Sequence, residues 1–144
     1  MIRRFGNPPK AGQRYVQRPG AYAILARRGQ ILLTWQGDPH NEVQLPGGGI
    51  DAGESALTAL HREVFEETGW HMAKPRRLGA FKRFTFMPEY DLWAEKVCHI
   101  YVATPTIKIS DPIEPDHIAI WMHPDTALRT LFNDGDASFL AGLL

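Results

Sequence analysis

Pro46-Gly47-Gly48-Gly49 interrupts any regular element that reaches it, and the stretch behind it, Ser55 to Thr68, carries Arg62, Glu63, Glu66 and Glu67 on a helical repeat. An extended segment, a glycine turn and a helix must therefore follow one another directly. At 3.6 residues per turn the three glutamates fall within an arc of roughly 100° on one helix face. Carboxylates spaced i, i+3 and i+4 repel by a few tenths of a kcal/mol per pair, a cost that Mg²⁺ or Mn²⁺ reverses by taking oxygen ligands. Leu57, Leu60 and Val64 mark a buried stripe beside this arc, with Ala56 and Ala59 keeping the acidic side low. The competing reading is a solvated face with Arg62 and Glu66 as an ordinary i,i+4 pair; the attached glycine turn and Glu54 favour a metal site.

Gly48, Glu54, Arg62, Glu63, Val64, Glu66, Glu67, Gly69 and Trp70 stand at the spacings of the pattern G-x5-E-x7-R-E-U-x-E-E-x-G-U, where U is bulky and apolar. The segment resembles the Nudix box, with every fixed position filled and only Trp70 larger than the usual aliphatic. Gly48 to Trp70 is about a sixth of the chain. The resemblance implies an α/β protein, a three-layer α/β/α sandwich with a mixed β-sheet. It further implies a Mg²⁺-dependent hydrolase, with Mn²⁺ as a substitute, that cleaves a pyrophosphate linkage in a nucleoside diphosphate joined to another group. Nucleoside triphosphates, dinucleoside polyphosphates and nucleotide sugars all fit that description.

The same resemblance makes Glu63, Glu66 and Glu67 the metal-facing set, with Glu63 and Glu67 the first choices as ligands and the carbonyl of Gly47 or Gly48 beside them. Glu66 and Glu67 thereby count as catalytic, and Arg62 orients the carboxylates. Glu54 either braces the loop at the helix start or joins the metal. The base that activates water is a helix glutamate or Glu114, in the Asp-Pro-Ile-Glu-Pro-Asp-His segment ahead of a strand bearing Trp121. Asp116, His117 and Glu95 compete for that role, and a proline-rich surface loop without chemistry is the plain alternative.

The rest of the chain suggests one domain, with 1–20 an irregular arm rich in proline and glycine and 21–144 the folded unit. Residues 21–27 and 31–35 form a hairpin around Arg28-Gly29-Gln30. Leu78 to Met87, Lys96 to Ala103 and His117 to Met122 read as strands, with Pro88 to Asp91 as a long connection. Pro124 opens a short helix, and Asp136 caps a last one over Ala137 to Leu143.

Sixteen basic and sixteen acidic residues cancel, so broad capture of nucleic acid or of a membrane surface is disfavoured and the partner is a small-molecule nucleotide, an RNA 5′ end staying open. Cys98 is the sole cysteine, and no apolar run has the length of a signal or membrane span, which together suggest the cytoplasm. The chain suits a monomer or a homodimer. The six histidines lack zinc spacing, and no GxSxG, Walker or GxGxxG pattern occurs. For substrate, Lys82 and Arg83 point to opposite strand faces, so at most one of them lines the site, with Arg83 the candidate. Phe84, Phe86, Tyr90 and Trp93 offer stacking surfaces that core packing explains equally well. Asn133 resembles the base-reading asparagine of some oxidised-nucleotide Nudix enzymes, or serves as a turn residue. A nucleotide-binding module without catalysis, an RNA 5′-pyrophosphohydrolase and a Nudix isomerase are the rival functions; loss of a helix glutamate would mark the first, and none is lost.

Overall fold

From Ala21 to Leu25 every residue is apolar, so a strand there must be covered on both faces. A computed structural model describing residues 2–144 supplies both covers. Its elements are β1 Arg3–Arg4, β2 Val16–Arg27, β3 Gln30–Gln36, β4 Glu42–Gln44, β5 Gly47–Gly49, α1 Ala56–Thr68, β6 Trp70–Met87, β7 Leu92–Lys108, β8 His117–Met122, α2 Pro124–Thr130 and α3 Asp134–Ala141. Ala21, Ala23 and Leu25 join Leu60 and Val64 of α1 in one core, whereas Tyr22 and Ile24 join Phe81, Ala127, Leu131 and Leu140 beneath α2 and α3 in another. The expected α/β/α sandwich is thus present.

The sheet is mixed, in the order β1-β6-β7-β2-β3-β4, with β5 also on β2 and β8 also on β3. β2 runs parallel to β7 and antiparallel to β3 and β5. The expected hairpin forms around Arg28 and Gly29, whose φ angles of 52° and 77° fit a tight two-residue turn. Among the described residues no helix is long and apolar enough to cross a membrane.

Several expectations need correction. Residues 16–20 of the supposed irregular arm are strand, because Val16 to Leu25 lie in parallel register with Ala94 to Ala103. Pro19 is tolerated there, its carbonyl accepting from the Ile50 N–H at 3.0 Å. Arg3 and Arg4 pair in parallel with Phe81 and Lys82. Residues 88–91 are not a long connection but a single 3₁₀ turn, and the strands on either side are much longer than predicted. Leu57 is 43% exposed and Ala59 fully buried, so α1 is rolled from the expected orientation; its buried set includes Glu67. Asp136 does not cap α3. Asn133 does, accepting the Asp136 N–H at 2.7 Å, and Asp136 itself is buried inside the helix.

α1 begins and ends where its sequence says. The Ser55 hydroxyl accepts from the Thr58 N–H at 3.1 Å, and Gly69 closes the helix in the left-handed region with φ 77°. A Cβ on Gly69 would strike the Ser110 carbonyl. We expect Gly69→Ala to destabilise the protein by about 2 kcal/mol or more in urea unfolding, combining left-handed strain with displacement of the segment after β7.

Candidate active site

β5 is an edge strand of three glycines laid against α1, and its hydrogen-bond alternation decides what it offers. Ala23 N–H donates to the Pro46 carbonyl and Ile50 N–H to the Pro19 carbonyl. With Ala21 opposite Gly48, this makes Ala21–Gly48 the hydrogen-bonded pair and turns the N–H and carbonyl of Gly47 off the ladder. The Gly47 N–H accordingly donates to Glu67 Oε1 at 3.1 Å. Of the two expected carbonyls, that of Gly47 is therefore free toward the helix, and that of Gly48 is spent on β2. Gly47 has φ 149°, and a Cβ there would hit the Ala21 carbonyl. A Cβ on Gly48 would lie 2.5 Å from the carboxyl carbon of Glu63, so this glycine lets the carboxylate close on the strand.

Arg62 is a clamp. Its Nε and Nη2 donate to the two oxygens of Glu54 at 2.8 and 2.9 Å, Nη1 donates to Glu63 Oε1 at 2.8 Å, and Nη2 also reaches the Gly49 carbonyl at 3.3 Å. Glu54 in turn accepts from the Asp51 N–H at 3.0 Å. These bonds, the Arg62 fork first, hold the Glu54 carboxyl down to about 2. Both oxygens of Glu54 are thus engaged by Arg62, which also holds Glu63.

Glu63 and Glu67 face the opposite pressure. Burial, with Glu67 adding to it, pushes Glu63 up to about 7. Burial also raises Glu67, against the hydrogen bond from His117. His117 Nε2 lies 3.4 Å from Glu67 Oε2 while its Nδ1 donates to the Pro115 carbonyl at 3.0 Å, and the contact with Glu67 raises the imidazole to about 9.

The C-terminal carbonyls of α1, which a helix cannot satisfy internally, bind the segment that follows β7. Glu66 O accepts from the N–H groups of Ile113 and Glu114 at 2.8 and 2.9 Å, and Gly69 O accepts from Ile109 at 2.8 Å. This places Glu114 on the rim of a cleft of about 550 Å³. Gly47, Gly48, Glu63, Glu67, Arg83, Glu114, Asp116 and His117 all line that cleft.

Three expected residues do not. Glu66 has its carboxylate 3.5 Å from Arg62 Nη1, the nitrogen that also holds Glu63. Asn133 does not line the cleft, and its side-chain oxygen is spent as the α3 cap. Glu95 lies on the other sheet face, 3.6 Å from Lys82, so Arg83 is the cation of that pair that enters. Of the aromatics, Phe86 and Tyr90 line the cleft, while Phe84 and Trp93 pack on Tyr15. Trp70 is buried edge-on to Trp121 at 5.5 Å, so its bulk is accommodated. Sequence reasoning missed Arg18 and Lys96, both in the cleft wall; only strand register reveals them.

Among the described residues no three His, Cys, Asp or Glu side chains form a ready metal cage. The donor set nonetheless suits a hard cation: the buried Glu67 carboxylate, the half-buried Glu63 carboxylate and the free Gly47 carbonyl. Mg²⁺ is held in this manner, by one or two carboxylates with waters and substrate oxygens completing the octahedron.

Asp136, behind the cleft, is pushed up to about 6 by burial, against the Leu45 N–H that donates to it at 3.2 Å. A raised carboxyl binds its proton more tightly folded than unfolded, so its contribution to stability is lost as pH rises from about 4 through about 6. Asp136→Asn should leave stability unchanged near pH 4 and raise it by up to about 3 kcal/mol at pH 7, checked by urea unfolding across that range.

A family model described as NUDIX domain matches residues 16–143. A Bacillus subtilis protein named provisionally as an 8-oxo-dGTP diphosphatase is 36% identical, over 51% of this chain and 50% of that protein. An RNA pyrophosphohydrolase of Psychrobacter cryohalolentis is 53% identical, over 35% of this chain and 34% of that protein. The chain thus spans half or less of the length of these curated relatives. A crystal structure of a MutT protein from Bacillus halodurans superposes with a TM-score of 0.71 at 25% identity, covering 86% of this chain and 80% of that one.

Proposed function

This chain belongs to the NUDIX family, and on that premise we propose that it hydrolyses a pyrophosphate linkage in a nucleoside diphosphate joined to another group, with Mg²⁺ as cofactor. The observation that carries the reading is the carboxylate pair of buried Glu67 and half-buried Glu63, closed against a glycine edge strand with a free carbonyl. Burying two like charges side by side is costly unless a cation repays it.

Pyrophosphate resists water because its oxygens repel an incoming nucleophile. Bound Mg²⁺ supplies the charge that screens those oxygens and acidifies water. The chain's own residues do the rest. Glu63, Glu67 and the Gly47 carbonyl hold the ion, and Arg62, itself fixed by Glu54, keeps Glu63 turned inward. Glu114, tethered to the end of α1, takes the proton from the attacking water. Phe86 and Tyr90 offer faces for a base. A triphosphorylated RNA 5′ end is the second reading, favoured by the cations Arg18, Arg83 and Lys96 along the cleft. A binding module without turnover fits poorly, since the metal-facing carboxylates are intact.

Glu67→Gln should cut kcat by about 10²-fold or more and abolish the rise in Tm caused by Mg²⁺. Glu114→Gln should lower kcat by about 10²- to 10⁴-fold and keep that rise. Pyrophosphate-bond hydrolysis across a nucleotide panel, with thermal unfolding plus and minus Mg²⁺, reads both. Normal turnover in Glu67→Gln would sink the assignment.

A further inference from the structure

Arg18 of β2, Lys96 of β7 and Arg83 of β6 are direct neighbours across three adjacent strands: Arg18 pairs in register with Lys96, and Lys96 with Arg83. All three line the cleft. Adjacent strands are about 4.8 Å apart, so three cations stand abreast within about 10 Å. Like charges directly opposite each other destabilise a sheet.

Among the described residues no ion pair repays that cost, Asp136 and Glu42 acting on Lys96 only from beyond ion-pair distance. Arg83 Nε is buried without a hydrogen-bond partner. Lys96 is held below the usual lysine range by burial first and by Arg83 second. The carboxylate nearest behind the row, Asp136, accepts from the Leu45 N–H instead. Arg18 lies over the Tyr90 ring, 4.5 Å from its centroid, so its guanidinium is steadied by an aromatic face and keeps its donors.

We propose that Arg18, Lys96 and Arg83 form an anion subsite for a second phosphate of the substrate, a phosphate ester separate from the pyrophosphate that is cleaved. Gly47, which donates to Glu67, faces Tyr22 on β2; Lys96 lies one strand further and four residues along, about 16 Å from Gly47 between Cα atoms. A phosphate seated on the row is therefore a different phosphate from the one beside Glu63 and Glu67. Two arginine forks and an ammonium suit its charge and its several oxygens better than a lone carboxylate would. The ester is either a 3′-phosphate on the nucleotide or the internucleotide phosphate of a short chain, with a base stacked on Tyr90 or Phe86. The placement of the cleaved bond rests on the hydrolase reading above; the binding of phosphate does not.

The first test is thermal unfolding in chelator with inorganic phosphate as the probe. Phosphate should raise the Tm of the wild type by about 3 °C. Lys96→Met should begin at a higher Tm, since a buried repelling charge is gone, and phosphate should then add nothing. An adventitious response, equal in both proteins, overturns the subsite, as does a Lys96→Met protein less stable than wild type.

The second test compares kcat/KM for a nucleoside 5′-triphosphate, its 3′-phosphorylated form and a 5′-triphosphorylated dinucleotide. The wild type should prefer one of the last two by about tenfold or more, a ratio that Lys96→Met and Arg83→Gln collapse toward one. Which of the two is preferred names the source of the ester. Turnover without preference overturns the subsite. Phosphate binding with no turnover of any substrate leaves it standing and defeats the hydrolase reading instead.

Discussion

Two carboxylates set side by side on one helix, Glu67 buried and Glu63 half-buried, must be given positive charge, and much of this molecule is arranged around that need. The protein meets them with three partial answers: the Arg62 guanidinium on Glu63, the His117 imidazolium on Glu67 and the Gly47 N–H from the edge of the sheet. Each partner belongs to a different element, so the charge problem on α1 dictates where β5 and the start of β8 must lie. A divalent ion entering at the free Gly47 carbonyl would take over from the imidazolium, while Arg62 keeps its grip on Glu54.

The cleft is polarised as a result. Glu63 and Glu67 stand at the glycine strand and Arg18, Lys96 and Arg83 on the sheet floor beyond it, with Asp38, Glu42 and Glu89 elsewhere in the wall. The net charge of zero conceals this separation completely. A ligand with negative charge at both ends, neutralised at one end by metal and at the other by arginine and lysine, matches such a field better than a compact anion does.

What the sequence revealed was local. The hairpin turn at Arg28 and Gly29, the helix start, the left-handed stop at Gly69 and the span of β8 need only short-range chemistry and were correctly placed, whereas the glycines expected as a turn, Gly47 to Gly49, form strand β5 because β2 lies beside them. What it concealed depends on pairing between distant segments. The strand from Val16 exists because β7 lies beside it, and no pattern in residues 16–20 announces that ladder. Arg18, Lys96 and Arg83 become one feature only through register. Helical spacing grouped Glu66 with Glu63 and Glu67, and Arg62 Nη1 does join Glu66 to Glu63, but only Glu63 and Glu67 of the three line the cleft. Asn133 looked like a reader of substrate because capping and recognition draw on the same side-chain oxygen.

The bonds from Ile113 and Glu114 to the carbonyl of Glu66 tie the cleft rim to the last turn of α1. Helix ends are usually the first parts of a helix to fray, and loops the first parts of a protein to open. Here the two events are joined: the loop cannot swing free without exposing a helix carbonyl, and the helix cannot unwind its last turn without releasing the loop. Amide hydrogens at Ile109, Ile113 and Glu114 would then exchange with solvent as a single cooperative unit with the end of the helix. Glu114 and the carboxylates of α1 would be assembled in the cleft, or lost from it, together.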